Sequence, residues 1–254
     1  MRLAEKAHCL VWILHRRDGL GLTGKACDDG ALCRLSGALP VAAAQLIDRP
    51  AEIKFPLVLA ARKSHNSGRM KHHPDDLIML FNDLFRRSHQ TVLVKGGDEP
   101  EYIPAAGPDQ PARIVFAHGF YASALHEISH WCIAGARRRG LHDYGYWYCP
   151  DGRTAAQQQA FESVEVRPQA LEWLFSVAAG SRFHISVDNL SGQGAADEAG
   201  FRARVRAMAD HYLRDGLPAR AARFHQTLLT FYGRQTLFAQ AWQDQGLTTS
   251  ESTR

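Results

Sequence analysis

Two histidines four residues apart, His126 and His130, with a glutamate, Glu127, beside the first, are the residues of this chain best suited to chemistry. On a helix such positions lie one turn apart on one face, so both imidazoles can reach a single divalent transition metal. The surrounding stretch from Tyr121 to Cys132 has neither Pro nor Gly and is rich in helix formers, which predicts a helix there. A catalytic metal needs a third protein ligand and keeps open positions for water or substrate. Downstream, Glu162 and Glu165 would share one helical face with Gln169. Glu165 is the preferred third ligand, with Glu162 as a neighbouring or alternate group.

This ligand set suits two chemistries. A His-Glu-x-x-His pair with a distant Glu is the set of zinc metallopeptidases, where Glu127 would be the general base for a zinc-bound water. Two histidines and one carboxylate are equally the set of non-haem Fe(II) oxygenases, whose open positions take O2 and substrate. The spacing fixes ligands, not the metal.

The elements that must position these residues can be read around them. Pro74, Asp75 and Asp76 suit the first turn of a helix whose apolar face is Leu77, Leu80, Phe81, Leu84 and Phe85. Thr91–Lys95 reads as a strand, followed by an acidic loop through Asp98, Glu99 and Glu101. The stretch 113–117 reads as a buried strand delivering His118 and Gly119 to the metal helix, which ends between Gly135 and Gly140 with Arg137, Arg138 and Arg139 at its negative end. An aromatic strand is expected over 143–149, then helices over 154–164 and 168–179, because Pro168 disfavours helical geometry at Arg167. Arg182 to Asp188 reads as another strand. The tail is helical, with Phe201, Val205, Met208 and Tyr212 on one face, a break at Gly216 and Pro218, and fraying expected after Gln243. The fold class is therefore α+β: a single compact domain of helices with short interleaved strands.

Composition narrows the function. The chain carries no apolar run near eighteen residues, so no membrane span is expected. Five cysteines without Cys-x-x-Cys spacing point to a reduced, cytoplasmic protein. Residues 1–69 hold 11 Lys and Arg against 6 Asp and Glu, whereas 70–254 hold 19 against 20. The basic pI thus arises outside the segment with the metal motif, and direct nucleic-acid binding is not expected. Residues 1–69 are broken by glycines and prolines and are expected to be a weakly ordered or mis-assigned extension, with Met70 as the natural start. The chemistry is assigned to 70–243, with 244–254 as a frayed tail.

At this length of sequence a family becomes recognisable. The blocks 114–135, 144–153 and 164–171, with shorter blocks over 95–100, 188–190 and 216–224, closely resemble the bacterial elongation factor P hydroxylase family. The resemblance spans about Pro74 to Gly233 and implies hydroxylation of the elongation factor P lysine that already carries a β-lysyl group. It further implies a mononuclear iron, Fe(II), held by His126, His130 and Glu165, with O2 as co-substrate, and so favours the oxygenase over the peptidase. Glu127 would then orient a ligand or a water. No 2-oxoglutarate signature is visible, and Arg153 and Arg167, which could clamp its carboxylate, have simpler structural explanations.

Further candidates follow. His118 would stand beside the metal ligands or line the substrate channel. Tyr144, Tyr146, Trp147 and Tyr148 would wall a slot for a long ammonium side chain through cation–π contacts. Asp151, with Asp98, Glu99 and Glu101, would attract its amines. Cys132, roughly opposite His130 on the helix, is expected to be a packed thiol.

Overall fold

The structure is a computed structural model and describes residues 72–143, 153–187 and 197–247. The extension assigned to 1–69 lies outside the described residues, as does the aromatic strand expected over 143–149 apart from Asp143.

Helix α1, Pro74–His89, opens as its sequence dictates. His73 caps it by accepting from the Asp75 amide, Pro74 starts it, and Gln90 ends it in the left-handed region at φ 46. Its apolar face is fully engaged in the core. Strands β1 (Thr91–Lys95), β2 (Glu101–Ile103) and β3 (Ala112–Phe116) form one sheet in the order β1-β3-β2. β1 runs parallel to β3 with Leu93 opposite Ile114, and β2 runs antiparallel with Tyr102 opposite Ile114. β2 lies in the stretch read above as an acidic loop. Only three residues pair, and the buried Tyr102 between half-buried Glu101 and Ile103 is the sole alternation that marks it. Tyr102 also exchanges both backbone hydrogen bonds with Asp143, at 2.8 and 3.0 Å.

A tight turn at Ala117–Gly119 leads into helix α2, Tyr121–Ile133, and the Ala117 amide donates to Ser123 Oγ at 3.1 Å. α2 stops earlier than expected, at Ala134, and of the three arginines read at its end Arg139 caps it, joined by Arg220. Arg139 Nη1 donates to the Ala134 carbonyl at 2.6 Å, and Arg220 Nη2 donates to Trp131 and Cys132 carbonyls at 2.9 and 3.1 Å. Cationic donors thus satisfy the orphaned carbonyls and oppose the dipole. Arg138 instead pairs with the buried Asp143.

Helix α3 is a single helix, Ala155–Ala179, with Pro168 inside it, not the two helices expected. Proline removes one hydrogen bond, from its own position to the carbonyl of Val164, at a cost of about 3 kcal/mol. Burial outweighs this cost: residues 168–179 of α3 are all buried, against α2 and the helices α4 (Glu198–Asp215) and α5 (Ala219–Phe231). A capping box between Thr154 and Gln157 starts α3, and left-handed Gly180 ends it.

The segment 181–187, read in the sequence as a strand, forms no strand and pairs with none among the described residues, a further correction. Its partners are side-chain amides of α3. Gln169 donates to the Ser186 carbonyl at 2.8 Å and accepts from the Ser186 amide at 3.1 Å, and Gln158 donates to the Val187 carbonyl at 3.0 Å. The amides act as a sheet edge would. Helix α6, Phe238–Leu247, continues beyond Gln243. Trp242 anchors it by packing on Trp173 at 5.3 Å and donating to Asp210 Oδ1 at 2.8 Å. The core centres on Trp131 of α2, which meets Phe81 and Phe85 of α1 with ring centroids 5.0 and 4.8 Å away.

Candidate metal centre

Every residue of α2 from Ser123 to Cys132 is buried, so this helix has no solvent face over the metal motif. Two imidazoles and a carboxylate in such a place demand mutual satisfaction. They find it across the α2–α3 interface. His126 Nε2 and His130 Nε2 face each other at 2.9 Å. Glu165, fully buried on α3, places Oε1 3.3 Å from His130 Nε2 and Oε2 3.7 Å from His126 Nε2. One ligand atom from each of the three lies within 4.8 Å of the others.

These spacings suit one ion. Two nitrogens each about 2.0–2.1 Å from a metal lie about 2.9 Å apart at a right angle and about 3.4 Å apart at the tetrahedral angle. Two imidazoles and one carboxylate are also the donor set that zinc and non-haem iron share.

Neighbouring groups on α3 support the cluster. Gln169, one turn beyond Glu165, donates to Glu165 Oε2 at 3.3 Å while clamping Ser186. Glu172, two turns beyond, takes the Nδ1–H of His126 on Oε2 at 2.7 Å. Glu172 is the group that sequence reasoning missed. The available signal was its spacing, seven residues after Glu165, which returns a helix to the same face.

Glu162, the alternate, is engaged elsewhere: it pairs with Arg204 and accepts from Gln158 Nε2 at 3.1 Å. His118 is not in the cluster. It sits before α2 in the left-handed region, φ 53, with Nδ1 3.7 Å from Asp98 Oδ1. Five residues, about 7.5 Å of rise, separate Tyr121 at the start of α2 from His126. Glu127 is buried at 1% exposure. Cys132 is buried too, and burial pushes its thiol up to about 12, the state of a packed thiol. Arg153 stacks 4.0 Å over the Phe161 ring, and Arg167 Nε donates to the Tyr212 hydroxyl at 3.2 Å. Tyr144, Tyr146, Trp147, Tyr148 and Asp151 lie outside the described residues.

Electrostatics follow from this packing. Burial works to lower His126, but the hydrogen bond and charge of Glu172, then the charges of Glu165 and Glu127, override it and raise the imidazole to about 10. Burial wins at His130 and holds it below the usual imidazole value despite Glu165. Burial works to raise Glu165, yet His130 and then His126 hold it below the ordinary carboxylate range. The metal-free cluster thus keeps a proton on His126 and a charge on Glu165. A divalent cation would take the place of that proton.

The comparisons with known proteins decide between the two chemistries. Residues 80–242 match the family model described as elongation factor P hydroxylase. The chain belongs to the elongation factor P hydroxylase family. It is 48% identical over 166 residues to the elongation factor P lysine hydroxylase of Haemophilus influenzae, covering 65% of this chain and 93% of that protein. His126, His130, Glu165, Gln169 and Glu172 all fall inside the matched region. Both matches are to hydroxylases, which leaves the zinc-peptidase reading of the same ligands without support. No helix among the described residues is long and apolar enough to cross a membrane.

Proposed function

We propose that this protein hydroxylates the lysine of elongation factor P that already carries a β-lysyl group, at a mononuclear Fe(II) centre held by His126, His130 and Glu165, with O2 as co-substrate. The observation that carries the reading is the convergence of two imidazoles and one carboxylate within 4.8 Å in a chain of this family. Two neutral nitrogens and one anionic oxygen leave coordination positions open for O2 and substrate. Bound Fe(II) would supply the redox chemistry that couples reduction of O2 to oxidation of a C–H bond. The balance converts one C–H into C–OH and releases the second oxygen atom as water, with two electrons and two protons from an external reductant.

The chain's own residues bind, orient and exclude water. Buried α2 and α3 keep bulk solvent from the ligand side of the cluster. Glu127 adds negative charge beside His126. Tyr144, Tyr146, Trp147 and Asp151 are assigned to substrate binding from their residue types alone, since amines suit aromatic faces and a carboxylate. His118, which stands next to Asp98 and apart from the metal cluster, is assigned to the substrate side of the site. Most binding energy comes from the folded elongation factor, because one side chain offers little contact area.

The test is mass analysis of β-lysylated elongation factor P after incubation with the protein, Fe(II), O2 and a reductant. One added oxygen on the modified lysine is expected. Cleavage of the polypeptide, or an unchanged mass with stoichiometric iron bound, overturns the reading.

A further inference from the structure

One buried carboxylate of the cluster is not needed as a metal ligand. Glu172 is 7% exposed, and its Oε2 lies 2.7 Å from His126 Nδ1, on the side of the ring away from His130 and Glu165. We propose that Glu172 is a positioning residue: it accepts the Nδ1–H of His126, fixes that tautomer, and keeps the bare Nε2 turned towards the other two ligands. The proposal rests on the metal-centre reading above.

In a dry place every donor needs its acceptor. A neutral imidazole carries its hydrogen on one nitrogen or the other, and only the bare nitrogen binds a cation. His126 is buried, so a hydrogen on Nδ1 needs an acceptor or costs about 1–3 kcal/mol. Without Glu172 the ring loses its reason to hold that tautomer and that rotation, and Nε2 loses its aim. The negative charge also makes the imidazole a stronger donor to a metal. A buried ion pair is by itself weak support for stability, because desolvation consumes most of the Coulombic gain. Orientation of a ligand is the function that such a pair serves well.

The placement on α3 strengthens the inference. Glu165, Gln169 and Glu172 follow one another at four and then three residues, on a single face of one helix. Gln169 holds Glu165, and Glu172 holds the nearer histidine of the opposite helix. One rigid element therefore sets both a ligand and the orientation of a ligand that it does not carry.

The test uses the full-length protein and its Glu172→Gln, Glu172→Ala and His126→Ala variants, with Co(II) as the probe. Affinity is read by competition with a chromophoric chelator, and the absorption of the saturated site is read alongside. Glu172→Ala should bind about 10- to 100-fold more weakly than the parent. Glu172→Gln, whose amide oxygen still accepts the Nδ1–H, should recover part of that loss at unchanged stoichiometry. The absorption of both saturated variants should shift, which a merely stabilising residue would not cause. Parent affinity and spectrum in Glu172→Gln and Glu172→Ala, with binding lost in His126→Ala, would overturn the role of Glu172 and leave the metal centre standing. A parent protein that takes up no Co(II), or a His126→Ala variant that binds as the parent does, would instead overturn the metal centre. Should Glu172→Ala fail to fold, Glu172→Gln carries the test through its affinity and its spectrum.

Discussion

Replacing Glu165 by Gln and, separately, Glu162 by Gln tests the site most directly, because the two changes are chemically identical and one helical turn apart. Glu165 faces His130 Nε2 at 3.3 Å and His126 Nε2 at 3.7 Å. At an effective dielectric of about 20, a unit charge at the longer distance attracts an imidazolium by about 4.5 kcal/mol. A divalent cation seated among these atoms would feel at least that much. Burial of the carboxylate has already been offset in folding, so its loss falls directly on metal affinity. Glu165→Gln should therefore weaken metal binding by more than the about 100-fold typical of an outer group, or over about 2.8 kcal/mol.

Glu162→Gln meets different surroundings. Its partner Arg204 is half exposed, and such pairs contribute about 0–1 kcal/mol. It should leave metal affinity unchanged and lower stability only slightly. Glu165→Gln should still fold, because the new amide oxygen can accept from Gln169 and His126 retains Glu172 as its counter-charge. Its stability loss should stay below the about 3–5 kcal/mol of an orphaned buried charge. Titration with Fe(II) without oxygen, metal analysis of the purified proteins and urea unfolding of the metal-free forms give the readouts. Stoichiometric tight binding in Glu165→Gln, together with lost binding in Glu162→Gln, would refute the geometry.

Three further outcomes follow from the same packing. His126 is raised to about 10 in the metal-free fold, above its unfolded value of 6.5. That group's stabilisation of the metal-free protein is therefore fully present below about pH 6.5 and lost as pH rises through about 10. Metal must displace the proton, so apparent affinity should rise about tenfold per pH unit across the neutral range, and a flat profile in a chelator competition would refute this. Trp131→Ala, which empties the space between Phe81, Phe85 and the metal helix, should cost about 3–5 kcal/mol in urea unfolding; a loss under about 1 kcal/mol would show that α2 is anchored elsewhere.

The parts of this molecule legible in the sequence are those fixed by local geometry. His126 and His130 share a helical face whatever surrounds them, and Pro74, Asp75 and Asp76 mark the start of α1 by their own chemistry. Pro168 misled for the converse reason: the local rule ends a helix there, while the burial that carries α3 through is a tertiary effect. The stretch 182–188 reads as a strand, but its described part forms none, and nothing local could reveal that glutamine side chains, not a neighbouring strand, would bond its backbone. Glu172 was hidden in the same way. Its spacing from Glu165 places it on the right face, but its task depends on how closely a second helix approaches. α6 outlasts the expected fraying because Trp242 finds Trp173 and Asp210, both far away in sequence.

Pro168 also bears on how Glu165 is held. The carbonyl of Val164 cannot receive a hydrogen bond from a residue without an N–H, so the turn carrying Glu165 lacks one rung of the helical ladder. A carboxylate on that turn is aimed less by the backbone than by what grips its oxygens and the next turn. Gln169 grips both: its amide reaches Glu165 Oε2 and the Ser186 backbone. The segment 181–187 is thereby tied to Glu165 through a single side chain. Its amino-terminal end is fixed by Gly180 and Ser181, whose amides close the end of α3 on the Val177 and Ser176 carbonyls. Through Gln169, the carboxylate that separates this cluster from a bare histidine pair is connected to the chain that follows its own helix.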